Sequence, residues 1–382
     1  MNFIETEEQT LLRQEVRAIA KPFGREYYLK KARAGEPLDE LWDAVGAAGY
    51  LGVNIPESHG GGGLGISELA MVSEELAAAG CPLLLLLVSP AICGTILARF
   101  GTPAQQDTWL PGLATGKQKL VFAITEPDAG SNSHRIATVA RREGSEWVLS
   151  GTKYYISGVD EADAILVVAS TPDVEGRPGL SLFLVDANAP GMTKTPIPME
   201  LVAAERQFTL FFDGVRVPHE RLIGKPGHGL QQVFLGLNPE RILGAAMGNG
   251  IARYALSAGA RYASERAVFG APIGTHQGIA HPLAQAKIEV ELARLMTSKA
   301  AWLFDQGLDA AEAANMAKYA AAEAALAAVD AAIQTHGGNG MSEEYGIAAL
   351  WGVARTLRIA PVSREMILNF IAQHSLKLPK SY

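Results

Sequence analysis

Cysteine is almost missing: Cys81 and Cys93 are the only ones among 382 residues. They form no CxxC pair and no metal-ligand spacing, which fits a reducing compartment where buried thiols behave as small apolar residues. The eight histidines include no HExxH pair, so a zinc site of that kind is not expected. Charge is thin at 19% of residues, the net charge is −7, and no long basic run occurs, which disfavours a general nucleic-acid binder. Long hydrophobic runs are missing too. The stretch Pro82-Leu83-Leu84-Leu85-Leu86-Leu87-Val88 stops at Ser89-Pro90, well short of the roughly 20 apolar residues a membrane helix needs. It reads as a buried helix, and no membrane association is expected. The opening Met-Asn-Phe-Ile-Glu-Thr-Glu-Glu is too acidic and polar for a secretory signal, so the expected location is cytoplasmic. No internal repeat is evident.

What remains is a chain with 48% hydrophobic residues, enough to bury a large core across two or three domains. Residues 1–118 read as helical. Thr6 followed by Gln9 forms a capping box, and Leu11, Leu12, Val16 and Ile19 then share one helical face. A second helical run covers Ile66 to Ala79. Residues 119–227 change character. Short β-branched and aromatic runs appear at Leu120 to Ile124, Trp147 to Leu149, Tyr154 to Ser157, Ala164 to Ala169, Ser181 to Val185 and Phe208 to Phe212. Turn signals such as Arg142 to Ser145 and Glu175 to Gly179 separate them, a spacing that suggests an antiparallel barrel or sandwich. Residues 228–382 return to helical periodicity, over about 229–268, 275–306, 309–336, 342–357 and 362–376. The alanine-rich stretch Ala310 to Ile333 favours helix and close packing in a bundle. The fold class is therefore α+β: helical domain, middle β domain, C-terminal helical bundle.

Several motifs carry little. Gly60 to Gly65 formally matches GxGxxG but follows Pro56 rather than a strand, so it reads as a flexible connection. Ser150-Gly151-Thr152-Lys153 matches SxxK without its SDN or KTG partners and reads as chance. Phe122-Ala123-Ile124-Thr125-Glu126-Pro127-Asp128-Ala129-Gly130-Ser131-Asn132 is more suggestive. It begins as a strand and turns through Pro127 and Gly130, exposing backbone N–H groups and the hydroxyls of Thr125 and Ser131. Those donors suit a flat heteroaromatic cofactor; an ordinary polar strand end has the same pattern.

Ile124 to Ser131 closely resembles the flavin-binding signature of acyl-CoA dehydrogenases. Ser150 to Ser157 resembles that family's second signature, Arg266 to Gly270 with His276-Gln277 its third, and Gln334 to Gly340 its fourth. The four motifs occur in order and span the chain. The resemblance implies FAD bound between the β domain and the C-terminal bundle, in a homo-oligomer, tetramer or dimer. It implies that Phe122, Ile124, Thr125, Gly130 and Ser131 contact the flavin ring. Tyr155 would lie against the ring where tryptophan is usual, excluding water, and Ser157 would hydrogen-bond to it. Arg266 and Phe269, with His276 and Gln277, would reach the pyrophosphate and adenosine of FAD in a neighbouring subunit, completed by Gln334, Gly337 and Gly338. A guanidinium fork suits a pyrophosphate; alone, Arg266 would read as a surface charge.

The reaction implied is α,β-dehydrogenation of an acyl-CoA thioester: a carboxylate takes the α proton, and N5 of FAD takes the β hydride. Electrons would pass to an electron-transfer flavoprotein. At the position where many members carry the base stands Ala360, in Leu357-Arg358-Ile359-Ala360-Pro361-Val362-Ser363. Alanine loses the carboxylate but keeps the backbone N–H that meets the thioester oxygen. Glu240, in Leu237-Asn238-Pro239-Glu240-Arg241-Ile242, resembles the branch, including isovaleryl-CoA dehydrogenases, that carries its base early in the bundle. A glutamate beside an apolar pocket has the raised pKa that suits proton abstraction near neutral pH. Its plainer reading is an acid at a helix start. Arg241 either orders substrate or base, or forms a structural ion pair. Ile359 would border the acyl pocket. Pro361 and Val362 depart from the family's glycine and threonine, and proline biases Ala360 toward extended backbone. Asn132 replaces a common aspartate. An enoyl-CoA reductase, a flavin oxidase or monooxygenase of the same fold, and a non-catalytic acyl-CoA-binding paralogue are the other readings.

Overall fold

The computed structural model describes residues 4–174 and 179–380. Of the turn expected at Glu175 to Gly179, residues 175–178 lie outside the described residues.

Six α-helices open the chain: α1 (Glu7–Ala20), α2 (Gly24–Ala34), α3 (Asp39–Ala47), α4 (Ile66–Ala78), α5 (Thr95–Phe100) and α6 (Pro103–Thr115). The Thr6 capping box is present, with Thr6 Oγ1 and Gln9 Oε1 each accepting the other residue's backbone N–H at 3.2 Å. The buried face of α1 differs from the expected one. Leu12, Val16 and Ala20 point inward with Arg13, whereas Leu11 is 55% exposed. Arg13 displaces it because its guanidinium meets Glu75 Oε1 of α4 at 2.9 Å. Glu74 and Glu75, both buried, also receive Arg253 and Arg294 from the C-terminal bundle, at 2.6 Å and 2.7 Å to Glu74. Paired carboxylates thus join the first domain to the last.

The leucine run enters a buried helix, as expected, but this helix widens into a π-helical segment over Leu87–Gly94, with Pro90 inside it. Proline has no N–H for the ordinary i−4 bond, and π insertions commonly sit at functional sites. The Gly60 to Gly65 stretch is a connection, as read, but a pinned one rather than a flexible one. The N–H groups of Gly62, Gly63 and Leu64 donate to Gly52 O, Ile55 O and Val53 O at 2.9 Å. At Gly61 a Cβ would fall 2.2 Å from Ile55 O, so only glycine fits.

The middle region forms one eight-stranded sheet: β1 (Leu120–Ala123), β2 (Val139–Glu143), β3 (Glu146–Ser157), β4 (Ala164–Thr171), β5 (Gly179–Asp186), β6 (Met192–Ile197), β7 (Gln207–Pro218) and β8 (Leu222–Ile223). Strand order is β6-β7-β3-β2-β4-β5-β8, with β1 also paired to β4. The sheet is not wholly antiparallel, because β1 and β2 both run parallel to β4. Trp147 to Leu149 and Tyr154 to Ser157, read as separate runs, are the two ends of β3. Between Lys153 and Ile156 the β3–β7 register gains a residue on β3, and Tyr155 sits in that bulge at φ 56°. Bulges re-aim side chains beside active sites.

The C-terminal part holds α7 (Gly229–Glu265), the short hairpin β9 (Ala267–Val268) and β10 (Ala271–Pro272), α8 (Gln277–Asp305), α9 (Ala311–His336), α10 (Ala349–Thr356) and α11 (Arg364–Phe370). The helix expected over 342–357 begins only at Ala349, because Gly346 takes φ 63° and ends any helix before it. The last helix turns π over Ile371–Ser375. The alanines of α9 are buried against α7, where a Cβ on Gly248 would stand 3.3 Å from Ala321 O. Small residues let these two helices approach closely, and that approach sets the site geometry described next.

Candidate active site

Three groups of residues emerge. The first lies where β1 ends. Glu126 and Ala129 exchange two backbone hydrogen bonds of 3.2 Å, closing a tight turn around Pro127-Asp128. The Glu126 carboxylate is buried, yet it accepts from Ala137 N at 2.6 Å, Thr138 N at 3.0 Å and Lys153 Nζ at 2.8 Å. Those donors outweigh the burial penalty and hold its pKa down, with burial opposing and Lys153 leading the favourable causes. Lys153 also donates to Ile124 O at 3.0 Å, and Tyr154 N donates to Thr125 O at 2.9 Å. The SxxK match read as chance therefore contains a lysine that clips the turn to β3.

The site residues Phe122, Ile124, Thr125, Gly130, Ser131, Tyr155 and Ser157 gather along this clip. Phe122 itself is in the core, 7% exposed, and offers a ligand its backbone rather than its ring. Tyr155 is 49% exposed and packs on Tyr154, ring centroids 4.3 Å apart. Ser157 Oγ donates to Gln207 Oε1 at 2.9 Å, so that hydroxyl is already engaged in this structure.

A second group forms at the far end of the bundle. Ile273 N donates to Arg266 O at 2.8 Å, and Tyr262 stacks on His336 with centroids 4.3 Å apart. These contacts bring the α7–α8 hairpin beside the end of α9, so Arg266, Phe269, His276, Gln277, Gln334, Gly337 and Gly338 share one exposed region. Phe269, at φ 56°, is 96% exposed. A Cβ on Gly337 or Gly338 would meet nothing. No hydrogen bond, ion pair or ring contact joins this group to the first among the described residues.

Third comes Glu240. It lies mid-helix in α7, so the helix-start reading does not hold. It is half-buried. Burial pushes its carboxyl up to about 7, against the opposing pull of Arg241 and Lys318. Its oxygens accept no hydrogen bond among the described residues. Burial holds the Arg241 guanidinium below its ordinary value; its Nη1 donates to Asn238 Oδ1 at 3.1 Å, while its buried Nε has no partner. The neighbouring Cys93, in the π-helical segment, has its thiol pushed up by burial first and by Glu240 second. A Cβ on Gly244 would stand 3.7 Å from Pro361 Cδ and 3.8 Å from Leu87 Cδ2. This one helical turn of α7 therefore faces both the 360–363 turn and the π-helical segment. That segment packs on β1 in turn, through the bond from Leu120 N to Ser89 Oγ at 3.1 Å.

The expectation for Ala360 is corrected here. Its N–H was to stay open for a thioester oxygen, but it donates to Thr356 O at 2.9 Å. The Ala360–Pro361 peptide is cis. Ile359 is 60% exposed.

Sequence reasoning missed Lys318. It stands on α9, 2% exposed, donates to Val362 O, and has its ammonium lowered to about 8 by burial, with Glu240 opposing. The sequence shows only a lone lysine in an alanine-rich stretch, which does not tell a buried one from a solvated one.

A half-buried carboxylate on α7 raised to about 7, and a strand-end turn clipped in place by Lys153, are features that suit a flavin-dependent dehydrogenase. The fit to FAD rests on the donors available. The side chains of Arg266, His276, Gln277 and Gln334 have no partner among the described residues, and open space lies over Gly337 and Gly338.

Comparison with known proteins agrees. Residues 6–117, 121–215 and 227–376 match the N-terminal, middle and C-terminal domains of acyl-CoA dehydrogenase. The chain belongs to the acyl-CoA dehydrogenase family, FAD-dependent enzymes that dehydrogenate acyl-CoA thioesters. It is 57% identical over 384 residues to "Acyl-CoA dehydrogenase FadE12" of Mycobacterium tuberculosis strain H37Rv, covering 100% of this chain and 99% of that one. Among solved structures, a glutaryl-coenzyme A dehydrogenase in complex with glutaryl-CoA superposes with TM-score 0.95 at 33% identity, covering 100% and 98%. A glutaryl-CoA dehydrogenase of Mycobacterium smegmatis in complex with FADH2 gives TM-score 0.92 at 25% identity, covering 99% and 97%. Among the described residues no helix is long and apolar enough to cross a membrane.

Proposed function

We propose that Glu240 is the base that removes the α proton of the acyl-CoA, in the branch of the family that carries its base on this helix. One observation carries the reading. Glu240 is a half-buried carboxylate that accepts no hydrogen bond among the described residues, is raised to about 7, and faces Arg241, Lys318 and the Cys93 thiol. A base must be ionised to accept a proton and basic enough to want it, and a pKa near working pH meets both demands. FAD, when bound, supplies hydride acceptance at the substrate β carbon. Thr125 and Ser131 offer hydroxyls toward the ring, and Tyr155 covers its face and excludes water. Arg266, His276, Gln277, Gln334, Gly337 and Gly338 form the second, polar end of the FAD site, with Phe269 at its rim. Arg241 orients the base or the thioester through its unpartnered Nε. For Ala360 to donate to the thioester, its bond to Thr356 must open on binding.

The three domains divide at 118/119 and 227/228 in this reading. The protein works in the cytoplasm as a homo-oligomer and passes electrons to an electron-transfer flavoprotein. Rapid oxygen consumption during turnover would count against that acceptor, and recovery in a membrane or exported fraction against that location.

The decisive experiment mixes the holoenzyme anaerobically with a panel of acyl-CoAs and follows flavin bleaching. In Glu240→Gln the rate is expected to fall by roughly 10²–10⁴-fold, the usual worth of a positioned base. In the unaltered enzyme it should rise with pH and level off above a midpoint near 7, as Glu240 ionises. Full bleaching by Glu240→Gln rejects this base.

A further inference from the structure

We infer that Lys318 is a positioning residue for the base: its ammonium is a second counter-charge of Glu240, beside Arg241, and it ties the 360–363 turn to the same spot. The inference rests on the reading of Glu240 as base. Lys318 is among the largest fully buried side chains, and nothing so far gives it a role. A buried ammonium needs an anion or a full set of acceptors. Among the described residues its only hydrogen bond is to Val362 O, and it makes no salt bridge. The charged groups facing it are Glu240 and Arg241 on α7, Glu323 on its own helix and Glu365 on α11. Glu323 is already paired with Arg358 and with Arg364, the latter at 3.1 Å. Glu365 is 72% exposed and lies 3.8 Å from Arg364. Glu240 is the one carboxylate left without a partner of its own.

The packing brings the two together: a Cβ on Gly244, one turn along α7 from Glu240, would stand 3.7 Å from Pro361 Cδ, and Lys318 bonds Val362 O in the same 360–363 turn. Facing Glu240 are Arg241 on its own helix, Lys318 on α9 and the Cys93 thiol in the π-helical segment. Arg241 is partly committed to Asn238. Arg241 exerts the larger pull from its own helix, and Lys318 adds a second cation from α9. Through Val362 O the same ammonium holds the turn carrying Ala360 and Pro361. One buried charge thus favours the ionised base and holds the 360–363 turn beside it. A lysine kept only to anchor Val362 would leave the titration of Glu240 unmoved when replaced.

The test needs no substrate. Infrared difference titration reads the Glu240 carboxyl directly, as each protein minus its Glu240→Gln counterpart. In Lys318→Met, which keeps the volume and removes the charge, the midpoint should move up by about one pH unit. In Lys318→Arg it should stay near the original value. The acid limb of anaerobic flavin reduction should move with it. An unchanged midpoint in Lys318→Met overturns the inference. If that variant does not fold, the reciprocal measurement decides. In Glu240→Gln the Lys318 ammonium loses its anion and should titrate lower, read by NMR of labelled lysine side chains; no change there is equally fatal. A shifted midpoint together with full activity in Glu240→Gln rejects the base while leaving the charge pair standing.

Discussion

Lys153 shows how one side chain can hold a binding turn that it does not form. It is fully buried, and its ammonium is lowered to about 8 by burial, with Glu126 opposing. Replacing it with methionine leaves Glu126 buried without its cation, a change that typically costs about 3–5 kcal/mol. Lys153→Met should therefore unfold at clearly lower denaturant and release FAD more readily. A variant of unchanged stability would show that the two backbone donors at Ala137 and Thr138 suffice alone. Glu240 stood out in the sequence because its segment resembles a branch of the family with a small residue at the position of Ala360. Lys318 and Glu126 did not, because their partners lie on other elements, and a buried lysine in an alanine run looks the same as a solvated one until α7 is packed against α9. Ala360 was legible as a missing carboxylate but not as an engaged N–H.

At the scale of elements, the start of the leucine helix depends on a carboxylate from beyond β6. Glu205 is buried and accepts from Leu84 N at 2.7 Å and Leu85 N at 3.2 Å. Burial nevertheless dominates and raises its carboxyl from 4.5 to about 7, with Glu161 adding to the rise. The folded protein thus keeps a proton that the unfolded chain has released, so stability falls as pH rises from about 4.5 to about 7 and then levels off. Glu205→Gln keeps an acceptor oxygen and removes the charge. It should be more stable than the unaltered protein at pH 8 by up to about 3 kcal/mol, and equal to it in acid. Thermal unfolding across that range checks this, and a variant that is weaker at every pH refutes it. Elements with strong periodicity or a cap were legible: α1, α4, α7, α8 and α9. Strands β2 and β6 were not. Val-Ala-Arg-Arg-Glu and Met-Thr-Lys-Thr-Pro-Ile are mostly exposed, and β6 is an edge strand, so neither carries the apolar alternation that marks a buried strand.

For the whole molecule, α8 leaves Ile288, Leu292 and Leu295 exposed by 62%, 62% and 50%, spaced as one helical stripe. With Phe269 standing almost free in solvent, this favours the proposed homo-oligomer. A double Ile288→Glu, Leu292→Glu variant should sediment as a smaller species than the unaltered protein; identical sedimentation places the interface elsewhere.

The order of helices, sheet and bundle, the four flavin-family motifs, and the pairing of an alanine at 360 with a glutamate at 240 all follow from the sequence by itself. The order of elements rests on local periodicity and turn chemistry, and the motifs and the 360/240 pairing on resemblance to the family; neither needs three-dimensional context. The tertiary structure alone decided which charges meet. It bonded Lys318 to Val362 O, clipped the turn after β1 with Lys153, engaged the N–H of Ala360 and exposed Leu11 in favour of Arg13. Each of these depends on distances between elements far apart in sequence, set by small-residue packing and burial rather than by neighbours along the chain.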